Sequence, residues 1–215
     1  YEAELRPFSW WLSPADTPAD LATLLQDAGL VEDESEVAMA VNLSDLRDGR
    51  AFPAELTIHR ASTGSGLRSF AGHFASPDVS LFYERAAPAL LARECPQWFY
   101  VGCVGDAPVA TAEATFAGGV AGIYNVATLP AFRRRGIGAA MTLRPLLDAR
   151  ARGSRTAVLQ APPAGVGPST RLGFQSGGEI TGYTPPATAC GSAAGSRASS
   201  CELLPQALDR RTRPA

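Results

Sequence analysis

Metal-binding residues are scarce in this sequence of 215 residues. Its four cysteines form no Cys-x-x-Cys pair, and its two histidines, His59 and His73, are too far apart to share one helical turn. A zinc site needs four ligands, usually in closely spaced pairs. We therefore expect no metal site among these residues, which are His59, His73, Cys95, Cys103, Cys190 and Cys201.

Long apolar runs and an excess of positive charge are also missing. No run approaches the ~20 residues that span a bilayer, and no basic segment followed by an apolar one opens the sequence. The net charge is −2, which gives no overall attraction to DNA or RNA. We therefore expect a cytoplasmic protein that binds neither membrane nor nucleic acid, and a homodimer is compatible with these features.

The composition is that of a globular protein, with 46% hydrophobic and 19% charged residues. Its length suits one domain with a small appendage. From Thr184 onward Pro, Ala, Ser, Gly and Thr dominate, so we predict a disordered tail over residues 184–215. We expect an N-terminal extension over 1–53 that packs on a core domain over 54–183.

Hydrophobic periodicity and turn residues predict the order of elements in these two parts. In the extension, we expect a helix that begins with Thr17 as its cap and ends at Gly29, then a solvated acidic loop over 32–36. Trp10 and Trp11 could pack the extension onto the sheet or line an acceptor pocket. Helices are predicted over 17–29, 67–93 (divided near Pro77), 137–153 and briefly 169–174, and strands over 36–43, 54–62, 97–104, 109–117, 121–129, 156–161 and 177–183.

This order predicts an α/β fold with a mixed, mostly antiparallel sheet flanked by helices. Two hairpins are indicated by Gly105-Asp106 and Gly118-Gly119. Pro145 lies inside the helix over 137–153, where we expect a kink. The C-terminal edge of the sheet is expected to be incomplete, because the only further apolar segment is "CELLPQAL" in the tail.

The segment "FRRRGIGAAM", residues 132–141, joins a strand to a helix. A dinucleotide-binding turn would need a small residue where Met141 stands and an acidic residue after the next strand. A phosphate loop fits better, because glycines let the backbone approach a ligand and the first N–H groups of a helix have no partners within it. The helix dipole adds partial positive charge at that end, which favours a pyrophosphate.

The segment "NVATLPAFRRRGIGAAM" resembles the acetyl-CoA-binding motif of the GNAT-type N-acetyltransferases. The motif's Arg/Gln-x-x-Gly-x-Gly/Ala core corresponds to Arg133, Gly136 and Gly138, and the later Leu172-Gly173-Phe174 corresponds to the family's Leu-Gly-Phe. The order of elements from about Ala54 to Tyr183 is also similar. The resemblance therefore implies a GNAT-like fold over some 130 residues, with acetyl-CoA as co-substrate.

The resemblance also implies roles for particular residues. The backbone of Val126, Ala127 and Thr128 would pair with the pantetheine arm, and the Val126 N–H would polarise the thioester carbonyl. An amine would then attack the acetyl group directly. The backbone amides that would hold the pyrophosphate are those of Arg134, Arg135, Gly136, Ile137, Gly138 and Ala139.

The acid and the base of such a reaction depart from the family pattern. The family's acid is commonly a tyrosine three residues before Leu-Gly-Phe, but here that residue is Ser169, whose hydroxyl is a far weaker acid. Tyr124 or a water could substitute. Glu113 is the candidate base, with an exposed structural glutamate as the alternative.

Two functions follow from these observations. The first is an N-acetyltransferase that moves an acetyl group to the amine of a small molecule or a protein. The second is a non-catalytic acyl-CoA-binding or regulatory module that kept the loop and lost the acid, which Ser169 favours.

Overall fold

A computed structural model describes residues 8–49 and 51–186 of the chain. The predicted tail therefore lies outside the described residues from position 187, as do Cys190 and Cys201. The described part is an α/β fold with one sheet of eight strands. The strands are β1 Trp10–Leu12, β2 Val31–Asn42, β3 Leu56–Arg60, β4 Gln97–Val104, β5 Ala107–Ala117, β6 Val120–Thr128, β7 Thr156–Ala161 and β8 Gln175–Thr184. The helices are α1 Leu21–Asp27, α2 Gly64–Ala71, α3 Pro77–Leu90, α4 Ile137–Ala151 and α5 Pro163–Arg171.

The strand order across the sheet is β1-β8-β2-β7-β6-β5-β4-β3. Only β6 and β7 are paired in parallel, as expected for the two strands joined by the crossover helix α4. Both predicted hairpins are confirmed, β4–β5 across Gly105-Asp106 and β5–β6 across Gly118-Gly119. Gly118 and Gly119 have φ values of 56° and 78°, which glycine adopts without strain.

Helices cover both faces of the sheet. On the α4 face, Tyr100 donates a hydrogen bond to Asp148 of α4, 3.0 Å long. Gly102 lets α4 approach, because a Cβ there would come within 2.7 Å of the Met141 Sδ. Phe99, the residue before Tyr100 on β4, points to the opposite α2–α3 face and meets Phe70 edge-on at 5.1 Å. Consecutive residues of β4 therefore pack against helices on opposite faces of the sheet.

Three expectations about local structure need correction. Helix α1 starts at Leu21, because the residues after Thr17 form a turn in which the Leu21 N–H donates to the Pro18 carbonyl. The acidic segment 32–36 is a strand, since β2 begins at Val31 and pairs with β8 through that segment. Helix α4 continues through the buried Pro145, and the kink expected there stays a prediction.

The third correction concerns the edge of the sheet beyond β8. That strand has a partner on each side, β2 and the short N-terminal β1, so it is not an incomplete edge in the described chain. Trp11 of β1 lies against Gly182 of β8, with ring carbons 3.5 Å from where a Cβ would stand. Trp11 therefore belongs to the packing at this edge, whereas Trp10 is 48% exposed, and both lie four strands away from β6.

Candidate active site

A β-bulge interrupts β6 opposite the middle of β5. The register shifts between the pairs Thr111–Ala127 and Glu113–Tyr124, which leaves one extra residue on β6. Asn125 takes up this irregularity with a φ of 52°, a conformation that asparagine tolerates better than most residues. The buried Thr111 hydroxyl donates to the Asn125 carbonyl at 3.0 Å. The bulge is therefore fixed from the neighbouring strand.

Beyond the bulge, the β7 side of β6 is open. Parallel pairing with β7 ends at Ile123–Leu159, so the strands separate after that point. The Leu129 N–H donates to the Val109 carbonyl of β5 at 2.9 Å. Because backbone groups alternate in direction along a strand, Ala127 also directs its groups to β5, whereas Val126 and Thr128 direct theirs to the open side. Two of the three predicted backbone positions thus face the gap.

The N-terminus of α4 lies at the end of the loop that follows β6. Gly136 is the residue before the helix, with a φ of 81°, and no side chain caps the helix there. The Ala140 N–H donates back to the Gly136 carbonyl, so the N–H groups of Ile137, Gly138 and Ala139 precede the first intrahelical bond. These uncapped donors suit an anionic group.

The three loop arginines have different surroundings. Arg133 donates from its Nε to the Thr128 carbonyl at 3.0 Å, which ties the loop to the end of β6. Arg135 forms an exposed ion pair with Glu55, also at 3.0 Å, and lies over the Phe132 ring at 5.2 Å. Arg134 has a φ of 64° and is exposed. The loop thus adds positive charge beside the uncapped amides.

Glu113 lies on β5 directly opposite Tyr124 and is only 6% exposed. Glu113 is therefore not the exposed strand glutamate of the alternative prediction. Its carboxylate accepts hydrogen bonds from Asn125 Nδ2 at 2.8 Å, Gln97 Nε2 at 3.1 Å and the Thr115 hydroxyl at 3.4 Å. Burial raises the pKa of Glu113, and these three donors lower it in part. A buried carboxyl with a raised pKa is suited to accept a proton near neutral pH.

The two candidate acids occupy different parts of the fold. Tyr124 is 42% exposed and shares the α2–α3 face with Glu113, since directly paired residues of antiparallel strands point the same way. Its ring lies over Gly122, where a Cβ would come within 2.6 Å of it. Ser169 is 7% exposed in α5, which adjoins Leu172 and Phe174 of the core on the α4 face. The structure therefore brings Tyr124, but not Ser169, beside Glu113.

Three residues of this site have no counterpart in the sequence-based prediction. Asn125 and Gln97 donate hydrogen bonds to the Glu113 carboxylate. The third is Tyr83 of α3: burial raises the pKa of its hydroxyl, and the nearby charge of Glu113 raises that pKa further. The only sequence signal was the polar Asn125 within an otherwise apolar strand. Gln97 and Tyr83 are recognisable only once the strands and α3 are placed.

The geometry can be tested against the groups that acetyl-CoA presents. An extended amide-containing arm fits the backbone groups of Val126 and the Thr128 N–H, which face the open side of β6, and a diphosphate fits the uncapped start of α4. Within residues 8–49 and 51–186, no group of three or more potential metal-ligating side chains comes together. No helix in that part of the chain is long and apolar enough to cross a membrane.

Solved structures similar to this one include acetyltransferases. A GCN5-related N-acetyltransferase from Kribbella flavida is 25% identical, with a TM-score of 0.66 over 86% of this chain and 70% of that one. A GCN5-related N-acetyltransferase from Sphaerobacter thermophilus is 16% identical, with a TM-score of 0.61 over 84% of this chain. Because the identity is only 16%, that likeness concerns the fold alone, and this chain spans 60% of the Sphaerobacter protein.

Sequence comparison gives a second, independent line of evidence. No curated protein matches the sequence significantly. The family model of the acetyltransferase (GNAT) domain, however, matches residues 31–162, from the first residue of β2 to the residue after β7. The matched range includes the bulge, Glu113 and the loop before α4. Since it covers well over half of the sequence, the chain belongs to the GNAT acetyltransferase family, whose chemistry is acyl transfer.

Proposed function

We propose that this protein is an N-acetyltransferase that moves the acetyl group of acetyl-CoA to an amine of a small molecule or a protein. The observation that carries the proposal is the position of Glu113. Its buried carboxylate lies one strand from the bulge and is held by Asn125 and Gln97. A binding module has no need for a costly buried carboxylate at this point.

Two sets of backbone groups would bind acetyl-CoA. Val126 and Thr128 face the open side of β6, where an added strand-like arm can pair with them. The first N–H groups of α4, from Ile137 to Ala139, would hold the diphosphate. The guanidinium of Arg134, exposed in the same loop, adds charge attraction.

The transfer needs one bond to form and one to break. The amine nitrogen attacks the thioester carbonyl carbon, and the carbon–sulfur bond breaks as the carbon–nitrogen bond forms. The Val126 N–H stabilises the negative charge that develops on the carbonyl oxygen. Glu113 accepts the proton lost by the nitrogen, directly or through one water.

The departing thiolate takes up a proton, and we assign its source to the Tyr124 hydroxyl rather than to Ser169. Tyr124 is adjacent to the bulge residue Asn125 and lies on the same face as Glu113. A phenol is also a far stronger acid than a serine hydroxyl. Ser169 is nearly buried in α5, which indicates a packing role.

A thiol-release assay with a panel of amines, run beside a thermal-shift titration with acetyl-CoA, tests this assignment. Glu113→Gln should lower kcat/KM by about 10²-fold while acetyl-CoA still stabilises the fold. Tyr124→Phe should lower kcat, and Ser169→Ala should have little effect. The matched control is Glu84→Gln, which makes the same change at an exposed site of α3.

Two results would contradict the proposal. Stabilisation by acetyl-CoA without turnover of any amine would indicate the non-catalytic module. Full activity of Glu113→Gln would show that Glu113 is not the base. The sequence contains no lysine, so acetylation of the protein's own lysine side chains cannot be mistaken for turnover.

A further inference from the structure

Asn125 takes part in both halves of the proposed site. Its main chain, with a φ of 52°, forms the bulge that precedes Val126, the proposed donor to the thioester oxygen. Its carbonyl is held by the Thr111 hydroxyl at 3.0 Å. A residue with a branched or bulky side chain would be strained in this conformation.

The side chain of the same residue reaches the proposed base. Asn125 Nδ2 donates to the Glu113 Oε2 at 2.8 Å, the shortest of the three hydrogen bonds to that carboxylate. Asn125 is exposed, whereas Glu113 is buried. The amide is thus the contact that holds one carboxylate oxygen from the bulge side, while Gln97 and Thr115 hold the other oxygen.

From this double contact we infer that Asn125 is a positioning residue that fixes the distance between the Val126 N–H and the Glu113 carboxylate. A hydrogen-bonded carboxylate with a fixed rotamer presents its basic oxygen in one place, and catalysis is sensitive to displacements of about 1 Å. The inference rests on the proposed function, because it assumes that Glu113 is the base.

The groups that face Glu113 determine how the loss of the Asn125 hydrogen bond would affect the pKa of Glu113. They are Tyr83 from α3, Gln97 from β4, Thr115 from β5, and Asn125 and Tyr124 from β6. The hydrogen bond from Asn125 lowers the pKa of Glu113 against the effect of burial. Removing that donor should raise the pKa and move the acid limb of the pH–rate profile to higher pH.

Asn125→Asp is the informative variant. Aspartate has nearly the same shape and also tolerates a positive φ, but it replaces the amide donor by a carboxylate that repels Glu113. We expect kcat/KM to fall about tenfold on the acid limb and less than about threefold on the alkaline plateau. Asn125→Gly, which keeps the backbone freedom and deletes the side chain, should move the acid limb in the same direction by a smaller amount.

The outcome separates this inference from the proposed function. Should both variants keep the wild-type pH profile, Asn125 only fills space at the bulge and the inference is overturned. A carboxyl NMR titration of Glu113 in the intact protein provides a readout that needs no activity. If the wild type transfers no acetyl group, yet Glu113 titrates at higher pH in Asn125→Asp, the contact between the two residues is supported and the proposed function fails alone.

Discussion

At the scale of single residues, Glu113 combines a cost in stability with a benefit for catalysis. Burial raises its pKa, so the folded protein holds the proton more tightly than the unfolded chain does. Folding stability therefore falls as the pH rises from the ordinary range of a glutamate to this raised value, and stays lower above it. Such a cost is tolerated where a group has a chemical role.

Replacing Glu113 by glutamine should therefore stabilise the protein. We expect the free energy of unfolding at pH 8, measured by urea denaturation, to rise by about 1 kcal/mol. The gain should shrink as the pH falls through the pKa of Glu113, where the wild-type carboxyl is neutral as well. Glu84→Gln, at an exposed site, should change stability little at either pH. A stability loss at pH 8 in Glu113→Gln would mean that the three hydrogen bonds outweigh the burial of charge.

At the scale of elements, local signals predicted some features and missed others. The glycine pair 118–119 and the strand boundaries of β4 and β7 were predictable, because turn chemistry and apolar periodicity are local. The start of α1 was not, since Thr17 is a favourable cap in isolation but the following residues form a turn. Segment 32–36 looks solvated by composition, yet pairing with β8 makes it a strand.

Two glycines at the start of α4 offer a test, because they differ in what the fold requires of them: Gly136 has a positive φ that favours glycine, whereas Gly138 has room for a side chain. Gly136 has a φ of 81°, so Gly136→Ala should destabilise the protein by about 1 kcal/mol. At Gly138 a Cβ would meet only the Thr128 hydroxyl at 3.7 Å, an ordinary contact. Gly138→Ala lies within the helix and should stabilise the unliganded protein by about 0.5 kcal/mol.

Measuring acetyl-CoA affinity should distinguish the effect of these two substitutions on binding from their effect on stability. Both methyl groups lie beside the uncapped amides, so calorimetric titration should show acetyl-CoA affinity reduced about tenfold in each, or ~1.4 kcal/mol. Weaker binding in Gly138→Ala without loss of stability would locate the diphosphate at this helix start. Unchanged affinity in both variants would place the diphosphate elsewhere.

At the scale of the whole molecule, the order of strands could not be read from the sequence. Strand β2 lies between β7 and β8, which follow it by more than 100 residues, and no local pattern encodes such a distant pairing. The same holds for the site. Glu113 and Tyr124 face each other in the unbroken register of the Gly118-Gly119 hairpin, but the directions of the Val126 and Thr128 backbone groups depend on a bulge at Asn125 that shifts the register by one residue beyond this pair.

The place of β2 predicts how the chain responds to truncation. A fragment of residues 54–183, the core domain expected from the sequence, lacks both strands that pair with β8, so β8 would lose all its partners in the sheet. We expect this fragment to show no cooperative urea transition by circular dichroism. A fragment of residues 13–186 lacks only β1, which pairs with three residues of β8, and should unfold cooperatively at a slightly lower midpoint. Cooperative unfolding of the 54–183 fragment at the full-length midpoint would show that β2 is dispensable and that the domain boundary lies near residue 53.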